Sequence, residues 1–387
     1  VTGLRVIGRD PATGEGVTVE IDAGRIVAIA SCQAPAAPFI APGLVDLQVN
    51  GFQGIDLNDG AVTPGKVIEL VAHLHKVGVT TFLPTLITAS KEALMAGLVA
   101  IAEARTVSKG AAHAIPFIHV EGPFISPEDG PRGAHPAEHV RPPDVQELAE
   151  WQVASGGLVG MITLSPHHPG ASGFVRHATD QGIHVAIGHT AATPAQIEGA
   201  VTAGARMSTH LGNGAAAMLP RHPNMIWSQL AEDRLTATFI ADGFHLPAET
   251  FKAMLRSKGL ERAILVSDLT ALGGLPAGTY EQAVGGRVEL SAEGRISVAG
   301  TPYLAGAALP LCRNVAIAAR MAGLSLAGSL SLATVNPGRF AAGRGRLAVG
   351  HPADLILFDW TPGSELLDIV ATFAAGEQVF RATGPAA

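Results

Sequence analysis

From residue 43 onward the chain is dominated by short apolar runs, each closed by a polar or glycine-bearing segment. TTFLPTLIT (80–88), IPFIHVEG (115–122), GLVGMITL (157–164), HVAIG (184–188) and LTATFIADG (235–243) are continuous enough to read as strands buried on both faces. Stretches with apolar positions at helical spacing lie between several of them: VIELVAHLHKVGV (67–79), KEALMAGLVAIAEARTV (91–107) and VQELAEWQVASG (145–156). This alternation predicts a parallel βα architecture, with about eight strands between residues 43 and 270.

The two ends of the chain have a different texture. GVTVEIDA and GRIVAIAS near the start, and GRGRLAVGHPADLILFDW and EQVFRATG near the end, are short strand candidates bounded by turn-forming Gly and Asp. They are expected to combine, residues 1–42 with residues 341–387, into one small β domain beside a unit spanning residues 43–340. An open doubly wound sheet is the main competitor for that central unit. Its nucleotide-binding form needs a Gly-rich first turn, yet no GxGxxG follows an early strand and GxxxxGK[ST] is absent. Polar residues recur instead at the ends of many strands, as at the C-terminal face of a (β/α)8 barrel.

Composition narrows the class. The 387 residues are 47% hydrophobic and 15% charged, enough for a large buried core and unlike a disordered or fibrous chain. With 33 acidic against 26 basic side chains and no dense Lys/Arg run, a nucleic-acid groove is not expected, although a local phosphate site needs only a few donors. Cys32 and Cys312 are the only cysteines, so no disulfide framework and no CxxC site can be built, and a reducing cytoplasm is the expected compartment. No run of about 20 apolar residues is present, so no membrane span is expected.

Four polar residues close apolar runs in one chain order: Glu121 after IPFIHV, His189 after HVAIG, His210 in ARMSTHLGN and Asp268 after AILVS. Singly, each has an ordinary alternative as a loop cap or a satisfied polar side chain. Together they place costly polar groups at separate strand ends near one core, which favours a metal site. One carboxylate and two neutral imidazoles suit Zn²⁺, and also Fe²⁺ or another divalent ion. Asp268 is then placed to take a proton from attacking water and return it to a leaving amine. His73 and His75 form a second HxH, but AHLHKVG reads as helix, where i and i+2 do not share a face; they are expected to be solvated.

APGLVDLQVNG, HVEGPFISPEDGPRGAHP, IGHT, STHLGN, IADGFH, SDLT and the terminal GHPADLILFDW resemble the amidohydrolase superfamily, specifically the N-acetylglucosamine-6-phosphate deacetylase family. The resemblance covers almost the whole chain. It implies a distorted (β/α)8 TIM-like barrel with a small β-sandwich domain formed by the two chain ends. It also implies hydrolytic removal of acetate from N-acetylglucosamine 6-phosphate to leave glucosamine 6-phosphate. Glu121, His189 and His210 map to the metal ligands, Asp268 to the general base and acid, and His135 to a residue that contacts the sugar and polarises the acetamide carbonyl. Arg221 and His245 map to phosphate recognition, assisted by backbone groups around Asn213 and Gly214. Related dimers imply a homodimer in which Arg221 reaches the neighbouring site.

Many amidohydrolases carry HxH on the first strand for a second metal; here Gln48 and Asn50 occupy those places. No Lys ends a strand between residues 113 and 245 to serve as a carbamylated bridge, so one metal ion is expected, Zn²⁺ ahead of Fe²⁺. Two segments depart from the family pattern. HLGNGAAAMLPRHP (210–223) replaces a text resembling HLFNAM, and SPHHP (165–169) puts His167 and His168 where an acid is common. These departures leave open another N-acylated amino sugar or a cyclic amide as substrate, and a non-catalytic metabolite-binding homologue as the alternative to an enzyme. His167 and His168 are expected to cap a Pro-rich loop.

Overall fold

The computed structural model of the chain describes residues 3–282 and 285–383; residues 1–2 and 384–387 of the expected terminal segments lie outside them. Eight parallel strands form the central sheet: β1 (Leu44–Val49), β2 (Val79–Ile87), β3 (Ile118–Glu121), β4 (Val159–Leu164), β5 (His184–Ile187), β6 (Met207–Ser208), β7 (Thr236–Phe239) and β8 (Ala263–Leu265). They follow one another in chain order from β1 to β8. The ring is nearly closed where Val49 bridges to Leu269, just past β8, and the Asn50 amide donates to the Leu269 carbonyl at 2.8 Å. The Asp46 carboxylate adds a side-chain link across the same seam by accepting from the Ser267 amide at 3.1 Å. The architecture is a TIM-like barrel.

The continuous apolar runs are explained by what covers each face. All nine residues of β2 are buried, because one face points into the barrel and the other lies under helices. Val45, Leu47, Leu83, Met161, Met207 and Ile264 belong to the cluster inside the ring. Outside it, helix Pro64–Lys76 buries Val67, Leu70, Val71 and Leu74, each worth about 1.5–3 kcal/mol against leaving it in water. Thr63 caps that helix, with Pro64 in its first turn, and Ser90, Asp144 and Thr193 cap three others. The helix Val145–Ser155 stops at Gly156, whose left-handed φ of +64° favours glycine.

The chain ends combine into a sheet-rich domain. Leu4–Arg9, Gly16–Asp22, Arg25–Cys32, Phe39–Pro42, Leu355–Asp359, Asp368–Ala374 and Glu377–Arg381 form one seven-stranded sheet, in which Leu355 pairs antiparallel with Pro42. Val6, Val19, Ile21, Leu355 and Phe373 belong to its core. His113, in the short helix Lys109–Ala114 between β2 and β3, ties this domain to the barrel: its Nε2 lies 2.6 Å from Asp354 Oδ1, while Arg344 holds Asp354 Oδ2 at 2.9 Å.

Two features depart from the sequence expectations. A four-stranded antiparallel sheet, Gly278–Gln282, Gly286–Leu290, Arg295–Val298 and Leu304–Ala307, is inserted between β8 and the helix Leu311–Ala322. It has its own core around Leu272, Val288, Leu290 and Ile296. The second is His75, expected to be solvated but only 6% exposed beneath the terminal sheet, where burial pushes its imidazole down to about 4. The helix assignment holds; what it lacked was the second layer that covers this face. Among the described residues, no helix is long and apolar enough to cross a membrane.

Candidate active site and metal centre

The strand ends gather the four polar residues singled out in the sequence at one cavity of about 200 Å³, lined by Glu121, His189, His210 and Asp268 with His135 and His245. Glu121 is the last residue of β3; His189, His210 and Asp268 lie two or three residues beyond β5, β6 and β8. The last three turn away from their strands through positive φ angles of +48°, +26° and +52°. Such a backbone is unfavourable for a side chain bearing Cβ, by about 1–3 kcal/mol each, and the rigid barrel imposes it. The turn aims each side chain back over the mouth of the ring.

Ligand atoms of Glu121, His189 and His210 all lie within 4.8 Å of one another, and all three residues are buried. Glu121 Oε1 is 3.0 Å from His210 Nε2 and 3.3 Å from His189 Nε2. Burial pushes the Glu121 carboxyl up, but hydrogen bonds and charge from the two imidazoles outweigh it and hold the group well below the usual carboxylate range. His189 Nδ1 is fixed on the Pro131 carbonyl at 2.9 Å and carries a proton there, so Nε2, which faces Glu121, is the nitrogen that a cation would take in place of the shared proton. The donor set, one carboxylate and two imidazoles with an orienting carbonyl behind one of them, fits a divalent cation.

Gln48 fills the first-strand place. Its Nε2 donates to Glu121 Oε1 and to Asp268 Oδ1, both at 3.0 Å, and Asn50 Nδ2 donates to the same Asp268 oxygen at 2.8 Å. Amides here link the carboxylate of Glu121 to that of Asp268 without adding charge. Asp268 is nonetheless raised to about 6, by burial first and by the Glu121 charge second, opposed by His210, His245 and the Asn50 hydrogen bond. A carboxyl poised near neutrality is suited to exchange protons in both directions.

His135 reaches the cavity from the loop after β3. Its ring centroid is 4.3 Å from that of His189, and its Nδ1 lies 2.8 Å from Thr88 Oγ1. Burial, then the neighbouring His189, pushes His135 down to about 3, so the imidazole is neutral. His245 lines another part of the wall, with Nδ1 2.7 Å from Asp242 Oδ2. Asn213 and Gly214 also line it, and Gly214 is required there: a Cβ would lie 2.8 Å from His189 Nδ1.

Not every residue singled out in the sequence reaches the cavity. Arg221 is exposed and is not part of its lining. His167 and His168 are likewise outside it; His167 Nδ1 lies 2.5 Å from Ser165 Oγ, and His168 Nε2 lies 2.9 Å from the Ile125 carbonyl. Conversely, several polar residues were missed. Asp242 was legible as the turn-forming residue of ADGFH, since its Oδ1 accepts from the Phe244 and His245 amides. Thr88 closes TTFLPTLIT just as Glu121 closes its own run. Gln282, which lines the cavity itself, comes from the inserted sheet and had no such signal.

The family model described as the Amidohydrolase family matches residues 39–380. The chain belongs to this family. Among relatives of this amidohydrolase, the N-acetylglucosamine-6-phosphate deacetylase of Bacillus subtilis is 30% identical over 353 residues, covering 90% of the present chain and 86% of the relative. The N-acetylgalactosamine-6-phosphate deacetylase of Escherichia coli O157:H7 is also 30% identical, over 84% of each chain. The solved structure of a mutant N-acetyl-D-glucosamine-6-phosphate deacetylase from Mycobacterium smegmatis, in complex with N-acetyl-D-glucosamine-6-phosphate, superposes with a TM-score of 0.86 at 29% identity; the match covers 98% of the present chain and 100% of that one.

Proposed function

We propose that this amidohydrolase removes acetate from N-acetylglucosamine 6-phosphate by hydrolysis, giving glucosamine 6-phosphate. The observation that carries the reading is the convergence of Glu121, His189, His210 and Asp268 on one cavity. It occurs in a chain aligned along most of its length with deacetylases of phosphorylated N-acetyl amino sugars.

Glu121, His189 and His210 are the proposed ligands of one divalent ion, Zn²⁺ in preference to Fe²⁺. Such an ion supplies Lewis acidity, polarising a carbonyl and making water a stronger acid. Asp268 accepts the proton of the attacking water and returns it to the nitrogen as the C–N bond breaks, so acetate and a free amine leave together. His135 donates a hydrogen bond to the acetamide oxygen as negative charge develops on it. His245, oriented by Asp242, binds the phosphate with the backbone at Asn213 and Gly214.

Arg221 completes the phosphate site of a neighbouring copy in the proposed homodimer, a role its exposed position permits. A fully active monomer by solution mass measurement would reject that arrangement. The proposed compartment is the cytoplasm, where Cys32 and Cys312, both free, stay reduced.

The test is acetate release by metal-loaded protein from N-acetylglucosamine 6-phosphate, its galactosamine isomer and the unphosphorylated sugars. Turnover fastest on the first compound is expected. No release from any of them would overturn the reaction, and a preference for an unphosphorylated sugar would overturn the phosphate assignment. A second reading, the galactosamine isomer or another N-acylated amino sugar as the main substrate, draws on the unusual 210–223 segment and on the E. coli relative. Ligand binding with neither bound metal nor turnover would favour a non-catalytic homologue.

A further inference from the structure

Two imidazoles meet at the cavity with ring centroids 4.3 Å apart, and their Nδ1 atoms have different partners. That of His189 faces a backbone carbonyl, which can only accept, so His189 is protonated at Nδ1. That of His135 faces the hydroxyl of Thr88, which can donate or accept. Thr88 is 1% exposed, and its hydroxyl has no other hydrogen-bond partner among the described residues. If His135 donated from Nδ1, the Thr88 hydrogen would be buried without an acceptor, which is costly. If Thr88 donates, both groups are satisfied and the His135 proton sits on Nε2, the nitrogen left without a protein partner in a residue that lines the cavity.

We infer that the Thr88 hydroxyl is a positioning group that holds His135 in the Nε2–H tautomer, opposite to the tautomer imposed on His189. Two adjacent histidines are thereby divided between two tasks. His189 offers a bare Nε2 lone pair to a cation; His135 offers an Nε2–H donor to a developing oxyanion. Thr88 sits one residue beyond β2, and an added Cβ on Gly122 would lie 2.2 Å from its hydroxyl, so the loop after β3 is seated directly against it. The inference rests on the role proposed above for His135.

The experiment compares Thr88→Val, which keeps the shape and removes the hydroxyl, with Thr88→Ser, which keeps the hydroxyl. Histidine ¹⁵N–¹H correlation spectra of the metal-loaded protein read the tautomer independently of turnover. The expected result is an Nε2–H signature for His135 in the wild type and in T88S. T88V should lose it, with kcat down at least about tenfold, KM within about twofold and bound metal unchanged. An Nδ1–H signature in the wild type overturns the inference, whether or not T88V folds. So does a T88V protein with wild-type kcat when His135→Ala is inactive. Full activity in H135A would instead remove the proposed role of His135 itself, while the wild-type spectrum would still decide the tautomer.

Discussion

Gly214→Ala tests the geometry of the proposed metal group from a residue with no side chain of its own. An alanine Cβ there would meet His189 Nδ1 at 2.8 Å and Cγ and Cε1 at 3.1 Å. Carbon contacts settle near 3.5–4.0 Å, so the imidazole must retreat by roughly half an ångström. The retreat stretches the 2.9 Å bond from Nδ1 to the Pro131 carbonyl, the contact that fixes the tautomer, and it shifts Nε2 relative to Glu121 and His210. Loss of an orienting contact of this kind lowers metal affinity by about 10- to 100-fold, or about 1.4–2.7 kcal/mol. The φ of +56° adds about 1 kcal/mol of backbone strain for any residue with a Cβ, which lowers Tm by about 1–2 °C in a chain of this length. Chelator competition followed by elemental analysis measures the first effect, and thermal melting of the metal-free protein the second. A variant with lowered Tm and wild-type metal affinity would refute the argument that Gly214 makes room for His189.

The remaining expectations concern protons and the division of labour at the site. With Asp268 raised to about 6, and ionised in the role proposed for it, kcat/KM should rise with pH through about 6; Asn50→Ala, which removes a hydrogen bond that lowers this value, should move the acid limb to higher pH, and a limb unmoved in the pH–rate profile would contradict the coupling. Asp268→Asn should keep near-wild-type bound metal and lose about 100-fold or more in kcat, whereas His189→Ala should lose the metal; elemental analysis beside turnover separates them, and unchanged turnover in D268N would remove its proposed role. Asp46 is raised to about 7, chiefly by burial, so the folded chain keeps a proton that the unfolded chain releases above about 4. The stability this contributes is present below about 4 and lost as pH rises through about 7, so the Tm of Asp46→Asn relative to wild type should climb between about pH 4 and pH 7 and level off above; a gap independent of pH would count against it.

Much of this was legible before any fold was in hand. Strands buried on both faces leave continuous apolar runs, and a barrel gathers the residues where those runs stop, so the meeting of Glu121, His189, His210 and Asp268 at one cavity could be read from position alone. The same rule passed over Thr88, because a threonine at a strand end is unremarkable until a histidine 47 residues later lies against it. His75 was misread because its helix face is covered by strands from the far end of the chain, with Thr372 Oγ1 donating to the His75 carbonyl. The inserted sheet between residues 278 and 307 has short strands whose exposed faces blur the alternation.

The sequence by itself determined the order of elements, the barrel class and the residue types available for chemistry, because burial periodicity and strand-end polarity are local properties of the chain. Only the tertiary structure decided what each group does. Gln48 bridges Glu121 and Asp268 across separations of 73 and 220 residues, and the Pro131 carbonyl orients the His189 ring from 58 residues away. A tautomer, a shifted pKa or a shared hydrogen bond depends on which atoms meet in space, and that contact has no trace in either neighbour's local pattern.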